Sequence, residues 1–321
     1  MTIISPKTPT GFDASIIREY IKGLHDIQAP APAYRSDLDV LTHKYIKTWG
    51  LAPTVLKPLV RYIPASVNFV ANGYGNTPTE PIVFLIVYTA LFFYVDDNAQ
   101  RLLPQMKQVV GGCWGATENR DVCEDPLLAR LVRHMLFQTP KYYSQYNTGA
   151  IIKGTIDYFL GTIIEAEYPD GMKIPASAGR CPRFLRSKTG VAETYTHFLF
   201  PEALVTEREG FMHYFPAVPD LMNFIDICND VLSFYKEWDE GEKNIYVMNQ
   251  ARLTGCSPME ILKGFCEDHL SLVKDIRQTC SKSPAVTKIL DTFFHGYFVF
   301  HIATPRYRLS ELGVVQGRAI Q

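Results

Sequence analysis

The chain is 321 residues long, 47% hydrophobic and 12% aromatic, with a formal net charge of −1. That length suffices for a large apolar core, in one big domain or two ordinary ones, and the mixing of acids and bases without a basic tract argues against a nucleic-acid partner. Seven scattered cysteines with no CxxC or Cys/His metal spacing, and an N-terminus with no basic-then-apolar leader pattern, fit reduced thiols and a cytoplasmic location.

Residues 1–12 hold three threonines and two prolines and read as a flexible tail. Helical patches follow at 14–26 and 37–48, separated by a Pro30–Pro32 linker, and at about 54–72, interrupted by Pro58 and Pro64. Gly73-Tyr74-Gly75-Asn76-Thr77-Pro78 then breaks the chain. Residues 82–95 are the most apolar run and carry no charge. The run is short for a bilayer span and long for a strand, so a buried helix is expected, with no membrane span.

That run ends in Asp96-Asp97. Two carboxylates at the end of a core helix are costly unless they meet water, a cation or donors. They read either as a helix end reaching the surface or as a metal ligand at the rim of an apolar pocket. Adjacent helical residues diverge by about 100°. Asp96 shares a face with Phe92 and Tyr88 at i−4 and i−8, so Asp96 is the candidate ligand and Asp97 its supporting partner.

Helical pattern continues over 122–138 and 140–166, the second softened by Gly149, Gly154 and Gly161, and 168–182 reads as a connector. The cationic cluster Arg180, Arg183, Arg186 and Lys188 is either a solvated helix start or an anion holder. Within the predicted helix 219–239, Asn229, Ser233 and Glu237 stand at i, i+4 and i+8. Each such step turns only roughly 40° beyond a full circle, so an amide oxygen, a hydroxyl and a carboxylate climb one face. Lys236 lies close to that face. A donor set of low charge suits Mg²⁺ that takes further coordination from a phosphorylated ligand. The same stripe, with Asp226, Asp230 and Glu240, is also what an amphipathic surface helix shows; this helix alone leaves both readings open.

A polar loop at 240–244, helices near 257–280 and 284–302, Pro305-Arg306-Tyr307-Arg308 and a flexible end at about 309–321 complete the chain. No strand alternation, internal repeat or domain linker appears. The expectation is one all-α domain, 1–321, whose helices surround an apolar cavity. GxSxG, P-loop, GxGxxG and HExxH motifs are absent from the sequence. His295 and His301 in HGYFVFH read as packed aromatic rings rather than metal ligands.

An Asp-Asp pair closing an apolar helix, followed about 130 residues later by an Asn-x-x-x-Ser-x-x-x-Glu face, resembles class I terpene cyclases. With NDVLSFYKE, Arg186 before Thr189-Gly190, and Arg306-Tyr307 near the end, most of the chain is similar to the trichodiene synthase family of fungal sesquiterpene cyclases, longiborneol synthases being related. The resemblance implies a class I terpenoid synthase helical bundle acting on farnesyl diphosphate, with Asp96 binding Mg²⁺ from one side and Asn229, Ser233 and Glu237 from the other. It implies three Mg²⁺ ions, diphosphate donors Arg186, Lys236, Arg306 and Tyr307, and a homodimer. Candidate walls for a carbocation are Tyr88, Phe92, Tyr297 and Phe300, each of which also reads as plain core. The sequence departs from the family at Gln100, where the fullest aspartate motif has a third acid. A chain-elongating prenyltransferase would carry a second aspartate-rich motif, and a non-catalytic isoprenoid diphosphate binder would have no need of the intact Asn229/Ser233/Glu237 set.

Overall fold

The computed structural model describes residues 11–24, 35–112, 122–315 and 318–319. Helices α1 (Ala14–Gly23), α2 (Ser36–Lys47), α3 (Pro53–Val60), α4 (Ile63–Gly73), α5 (Thr79–Asp97), α6 (Ala99–Gly112) and α7 (Pro126–Arg133) form the first half. The second half is α8 (Gln145–Glu167), α9 (Cys181–Thr189), α10 (Ala192–His197), α11 (Glu207–Tyr214), α12 (Val218–Asp239), α13 (Tyr246–Thr254), α14 (Pro258–Cys280) and α15 (Pro284–Ala303).

The organising helix is α5. Every residue from Pro81 to Leu91 is buried, which is what a helix apolar on all sides requires. By length and composition it could cross a bilayer, yet here it lies inside protein, packed by α2, α3, α4 and α7. Packing then runs in a closed circuit, α5 on α4, α4 on α15, α15 on α12, α12 on α10, α10 on α8, α8 on α6 and α6 back on α5. The fold is all-α, as expected. Among the described residues the strand content is one short pairing, Val314 with Ala319 and Val315 with Arg318.

The patch read over 54–72 is two helices. Pro64 sits in the first turn of α4, where no N–H is needed, so the chain restarts there rather than continuing α3. α6 was not expected. Its buried Leu102, Met106 and Val109 follow helical spacing, but Pro104 inside the helix disguises it. After α7 the chain passes through a π turn, His134–Gln138, in which buried His134 bonds the Phe84 carbonyl at 3.0 Å.

Both expected flexible ends need correction. Phe12 is buried against Phe234, Tyr235 and Trp238. Leu309, Leu312 and Val314 are buried as well, and Arg308 anchors this segment to Asp239 at 2.7 Å and Glu311 at 2.8 Å. Apolar side chains spaced along a 3₁₀ turn give the segment a core to join. Residues 1–10, 316, 317, 320 and 321 lie outside the described residues.

The α4–α15 contact is close because Gly296 faces the backbone of Asn72 and Gly73 with no room for a Cβ. Alanine in place of a helical glycine ordinarily stabilises by about 1 kcal/mol. Gly296→Ala should instead cost about 1–3 kcal/mol through overpacking, whereas Gly264→Ala, on an open face of α14, should follow the ordinary sign. Urea midpoints of the two variants check this.

Candidate active site

Inside the helix circuit lies a cavity of about 380 Å³. Its apolar part is walled by Phe69, Phe92, Phe93, Tyr195, Ile225, Tyr297 and Phe300, and its mouth by the polar ends of α5 and α12. Three of the four expected wall residues, Phe92, Tyr297 and Phe300, face it. Tyr88 does not. It is fully buried, with its hydroxyl 2.7 Å from Thr155 Oγ1 and its ring against Phe198. The reason is Tyr195, whose ring stands edge-on to both Phe92 and Tyr88 and closes the cavity before α5 reaches Tyr88.

At the end of α5, Asp96 and Asp97 share one guanidinium. Arg306 reaches Asp97 at 2.8 Å and Asp96 at 3.3 Å. Tyr158 donates to Asp96 at 3.0 Å and Tyr62 to Asp97 at 2.9 Å. Although 40% of the Asp96 side chain faces the open cavity, desolvation raises its carboxyl above the usual range against the opposing pull of Arg306 and Tyr158. Gln100 is exposed on α6, beyond the break at Asn98, and does not line the cavity.

Across the mouth, Asn229, Ser233 and Glu237 all line the cavity from α12. The Ser233 hydroxyl donates to the Asn229 backbone carbonyl at 2.7 Å, and its oxygen lies beside the Glu237 carboxyl. Asn229 Oδ1 accepts from Arg186 at 3.3 Å. Burial pushes the Glu237 carboxyl up to about 8, with the Glu242 charge adding to the effect. Lys236 lines the same edge and pairs with Glu240 at 3.3 Å and Glu242 at 3.5 Å.

The stripe on α12 is therefore not a solvated face. Asp226 and Asp230 are buried and hold Arg186, through Asp230 at 2.8 Å and Asp226 at 3.2 Å. Arg183 adds a second contact to Asp226 at 3.2 Å, and Lys188 pairs with Asp157 at 2.7 Å. The cationic cluster of α9 is thus largely spent on internal carboxylates. Arg186 retains a place in the cavity wall. Gly190 makes this possible, because a side chain there would collide with Arg186 and Asp226. The next residue, Val191, is left-handed at φ 53°, an uncommon and strained state for a β-branched residue.

Arg306 and Tyr307 complete the mouth, Tyr307 buried with its ring 4.5 Å from that of His301. His301 is itself buried, and desolvation pushes its imidazole down to about 4. Sequence reasoning missed Phe69, Phe93, Tyr195, Glu165, Tyr62 and Tyr158; His301, expected as a packed ring rather than a metal ligand, is buried against the rings of Tyr297 and Tyr307 and also lines the cavity. Tyr195 sits in a helix of six residues, too short for periodicity to show. Glu165, an acid within an apolar stretch, carried a weak signal; burial pushes its carboxyl up to about 7.

Among the described residues no three His, Cys, Asp or Glu side chains cluster closely enough to hold a metal by themselves. The available oxygens are divided between two walls, and of the two α12 carboxylates that line the cavity, Asp230 is paired with Arg186 while Glu237 lies beside Ser233. That set fits a hard cation that keeps water or ligand phosphate in its coordination shell.

The trichodiene synthase (TRI5) family model matches residues 40–317. An (E)-beta farnesene synthase of Metarhizium brunneum is 30% identical over 306 residues, 94% of this chain and 89% of that protein. A trichodiene synthase of Fusarium sporotrichioides is 32% identical over 258 residues, 80% of this chain and 67% of that one. Among solved structures, a cucumene synthase variant aligns with TM-score 0.57 at 13% identity, covering 86% of this chain and 100% of that one. A linalool/nerolidol synthase from Streptomyces clavuligerus aligns with TM-score 0.56 at 12% identity, over 85% and 97%. These two likenesses speak for the fold alone. Sequence match over most of the length, joined to an aromatic cavity with a charged mouth, places this chain in the trichodiene synthase family of terpene synthases, lyases that act on a prenyl diphosphate.

Proposed function

We propose that the protein is a Mg²⁺-dependent sesquiterpene cyclase that ionises farnesyl diphosphate and releases diphosphate and a C15 terpene. The observation that carries this reading is the opposition of Asp96 to Asn229, Ser233 and Glu237 across the mouth of one aromatic-walled cavity. Asp96 on one wall and the three α12 oxygens on the other are the residues that would hold Mg²⁺. When bound, Mg²⁺ supplies positive charge to the diphosphate oxygens as the allylic C–O bond breaks.

The chain's own cations act on the same leaving group. Arg186, held rigid by Asp226 and Asp230, turns its remaining donor capacity to the cavity. Arg306 stands between the acid pair and the mouth, ready to exchange carboxylate for phosphate oxygens of matching fork geometry. Lys236 and the Tyr307 hydroxyl are the further donors. Such preorganised donors stabilise charge as it develops. The apolar end excludes water from the carbocation, and the faces of Phe92, Tyr297 and Phe300 can each stabilise passing positive charge by about 0.5–2 kcal/mol.

A cavity of about 380 Å³ is at the small end of ligand pockets, roughly 300–1,000 Å³, which favours a short isoprenoid over a growing chain. The absence of a second aspartate-rich face on α12 disfavours elongation too. An acyclic product is the second reading, favoured by the relative named (E)-beta farnesene synthase; there the cation loses its proton before a ring closes.

Incubation with farnesyl diphosphate and Mg²⁺, followed by gas chromatography and diphosphate release, tests the proposal. A cyclic C15 terpene is the expected product, an acyclic one would favour the second reading, and a longer prenyl diphosphate or unconsumed substrate would sink both. In limiting Mg²⁺, Glu237→Gln and Asn229→Leu should each slow turnover by about 100-fold or more, a loss of about 2.7 kcal/mol in transition-state stabilisation; wild-type rates would return α12 to a structural role. Damage should fall in the order Asp96→Asn, Asp97→Asn, Gln100→Ala, and the reverse order would remove Asp96 from the ion. Phe92→Leu and Phe300→Leu remove a ring face of about 1 kcal/mol, enough to shift competition between neighbouring cations roughly fivefold. Their product profile should change while substrate consumption persists, and an unchanged profile would place the reacting wall elsewhere.

A further inference from the structure

The amide of Asn229 presents a choice that its own position does not settle: its oxygen or its nitrogen can face the cavity and Arg186. The neighbouring contacts form a chain in which each link has one permitted direction. The Tyr297 carbonyl can only accept, and it lies 2.8 Å from His301 Nδ1. Nδ1 therefore carries a proton, and because the Arg186 guanidinium at the far end can only donate, Asn229 turns its oxygen to Arg186 and its NH₂ to Nε2, which is then a bare acceptor. Nε2 lies 3.3 Å from the Asn229 amide nitrogen, and Asn229 Oδ1 lies 3.3 Å from Arg186.

Reversing the amide breaks the chain at both ends. The amide NH₂ would confront the Arg186 N–H groups, donor against donor. Its oxygen would face Nε2, which would then need the proton and leave a bare Nδ1 against the Tyr297 carbonyl, acceptor against acceptor. His301 is 1% exposed and packed between the rings of Tyr297 and Tyr307 at 4.6 and 4.5 Å, so its ring is not free to turn over. Ser233, the next donor on the face, is fixed separately through the Asn229 backbone carbonyl and does not depend on this chain.

We infer that His301 is a positioning residue for the diphosphate-dependent cation site: its Nδ1–H tautomer, set by the Tyr297 carbonyl, turns the Asn229 amide so that oxygen rather than nitrogen is offered at the mouth. The inference rests on the Mg²⁺–diphosphate reading of the site. A group that orients a ligand from behind typically affects metal affinity by 10–100-fold when lost.

Two measurements test it. In wild-type protein carrying ¹⁵N-labelled histidine, long-range ¹H–¹⁵N correlation at neutral pH should show His301 protonated on Nδ1 and bare on Nε2. An Nε2–H tautomer, or a doubly protonated ring, overturns the inference without any variant having to fold. Second, thermal stabilisation by Mg²⁺ is titrated in saturating inorganic diphosphate for wild type, His301→Gln and His301→Phe. His301→Phe keeps a ring but has no acceptor, and should raise the Mg²⁺ concentration for half-maximal effect about tenfold or more. His301→Gln places an amide oxygen near the Nε2 position and should stay close to wild type. Equal shifts in the two variants, or none in either, would make His301 packing only. Should wild type itself gain no Mg²⁺-dependent stabilisation from diphosphate, the Mg²⁺–diphosphate reading fails, and the tautomer measurement still decides whether the amide is oriented as argued.

Discussion

The structure hangs on one buried ion group, Arg186 between Asp226 and Asp230. Three charged side chains taken out of water are stable only together, and removing one member of such a group costs about 3–5 kcal/mol. The two carboxylates lie one turn apart on α12 and the guanidinium comes from α9. Joining them forces the polar stripe of α12 inward and brings the end of α9 against the mouth of the cavity. The glycine and the left-handed valine that follow Arg186 are the backbone conditions of that approach. A hydrophobic contact would tolerate sliding; a forked guanidinium on a carboxylate does not.

The rest of the mouth is a charge balance left unfinished. Asp96 and Asp97 are compensated by Arg306 and two tyrosine hydroxyls, while burial raises the Glu237 and Glu165 carboxyls against the opposing pull of Lys236 and Arg186. Acids on facing walls repel each other across a space of low polarisability, and cations on the same rim attract anions. A ligand carrying both signs, a polyanion with hard cations, satisfies walls that neither ion alone would. Beyond the rim the surface turns to rings and aliphatic carbon within the length of a few side chains. In the proposed reaction, charge separation and carbocation shelter would thus occupy adjoining halves of one cavity.

Much of this was legible in the sequence, for identifiable reasons. A helix buried on all sides shows itself by unbroken apolarity, as α5 does, and donors climbing one face show themselves by spacing, as on α12. Tertiary facts were not legible. Nothing in the spacing of Asp226 and Asp230 says that a helix forty residues earlier will bury them, so the stripe was equally a solvated face. Tyr88 had the right period to line the pocket, and only the ring of Tyr195, from a segment without periodicity, excludes it. His301 looked like one more aromatic in HGYFVFH because its function lies in which nitrogen holds the proton, and that is written in its neighbours.

The packing behind α12 bears on how the molecule comes into being. Its outer side is braced by Phe12 against Phe234, Tyr235 and Trp238, and by Glu311, which accepts from Tyr235 at 2.8 Å. Arg18 also reaches the Leu312 carbonyl, at 3.4 Å, across nearly the whole chain. Contacts of such sequence separation form late, because the loop entropy must be overcome before they give any return. Synthesis from the N-terminus leaves Phe12 waiting for α12, and α12 waiting for the segment around Glu311. The aromatic wall waits on the same late step, because Phe69 of α4 meets Tyr297 and Phe300 of α15 across most of the chain, so the pocket and its charged rim are completed together.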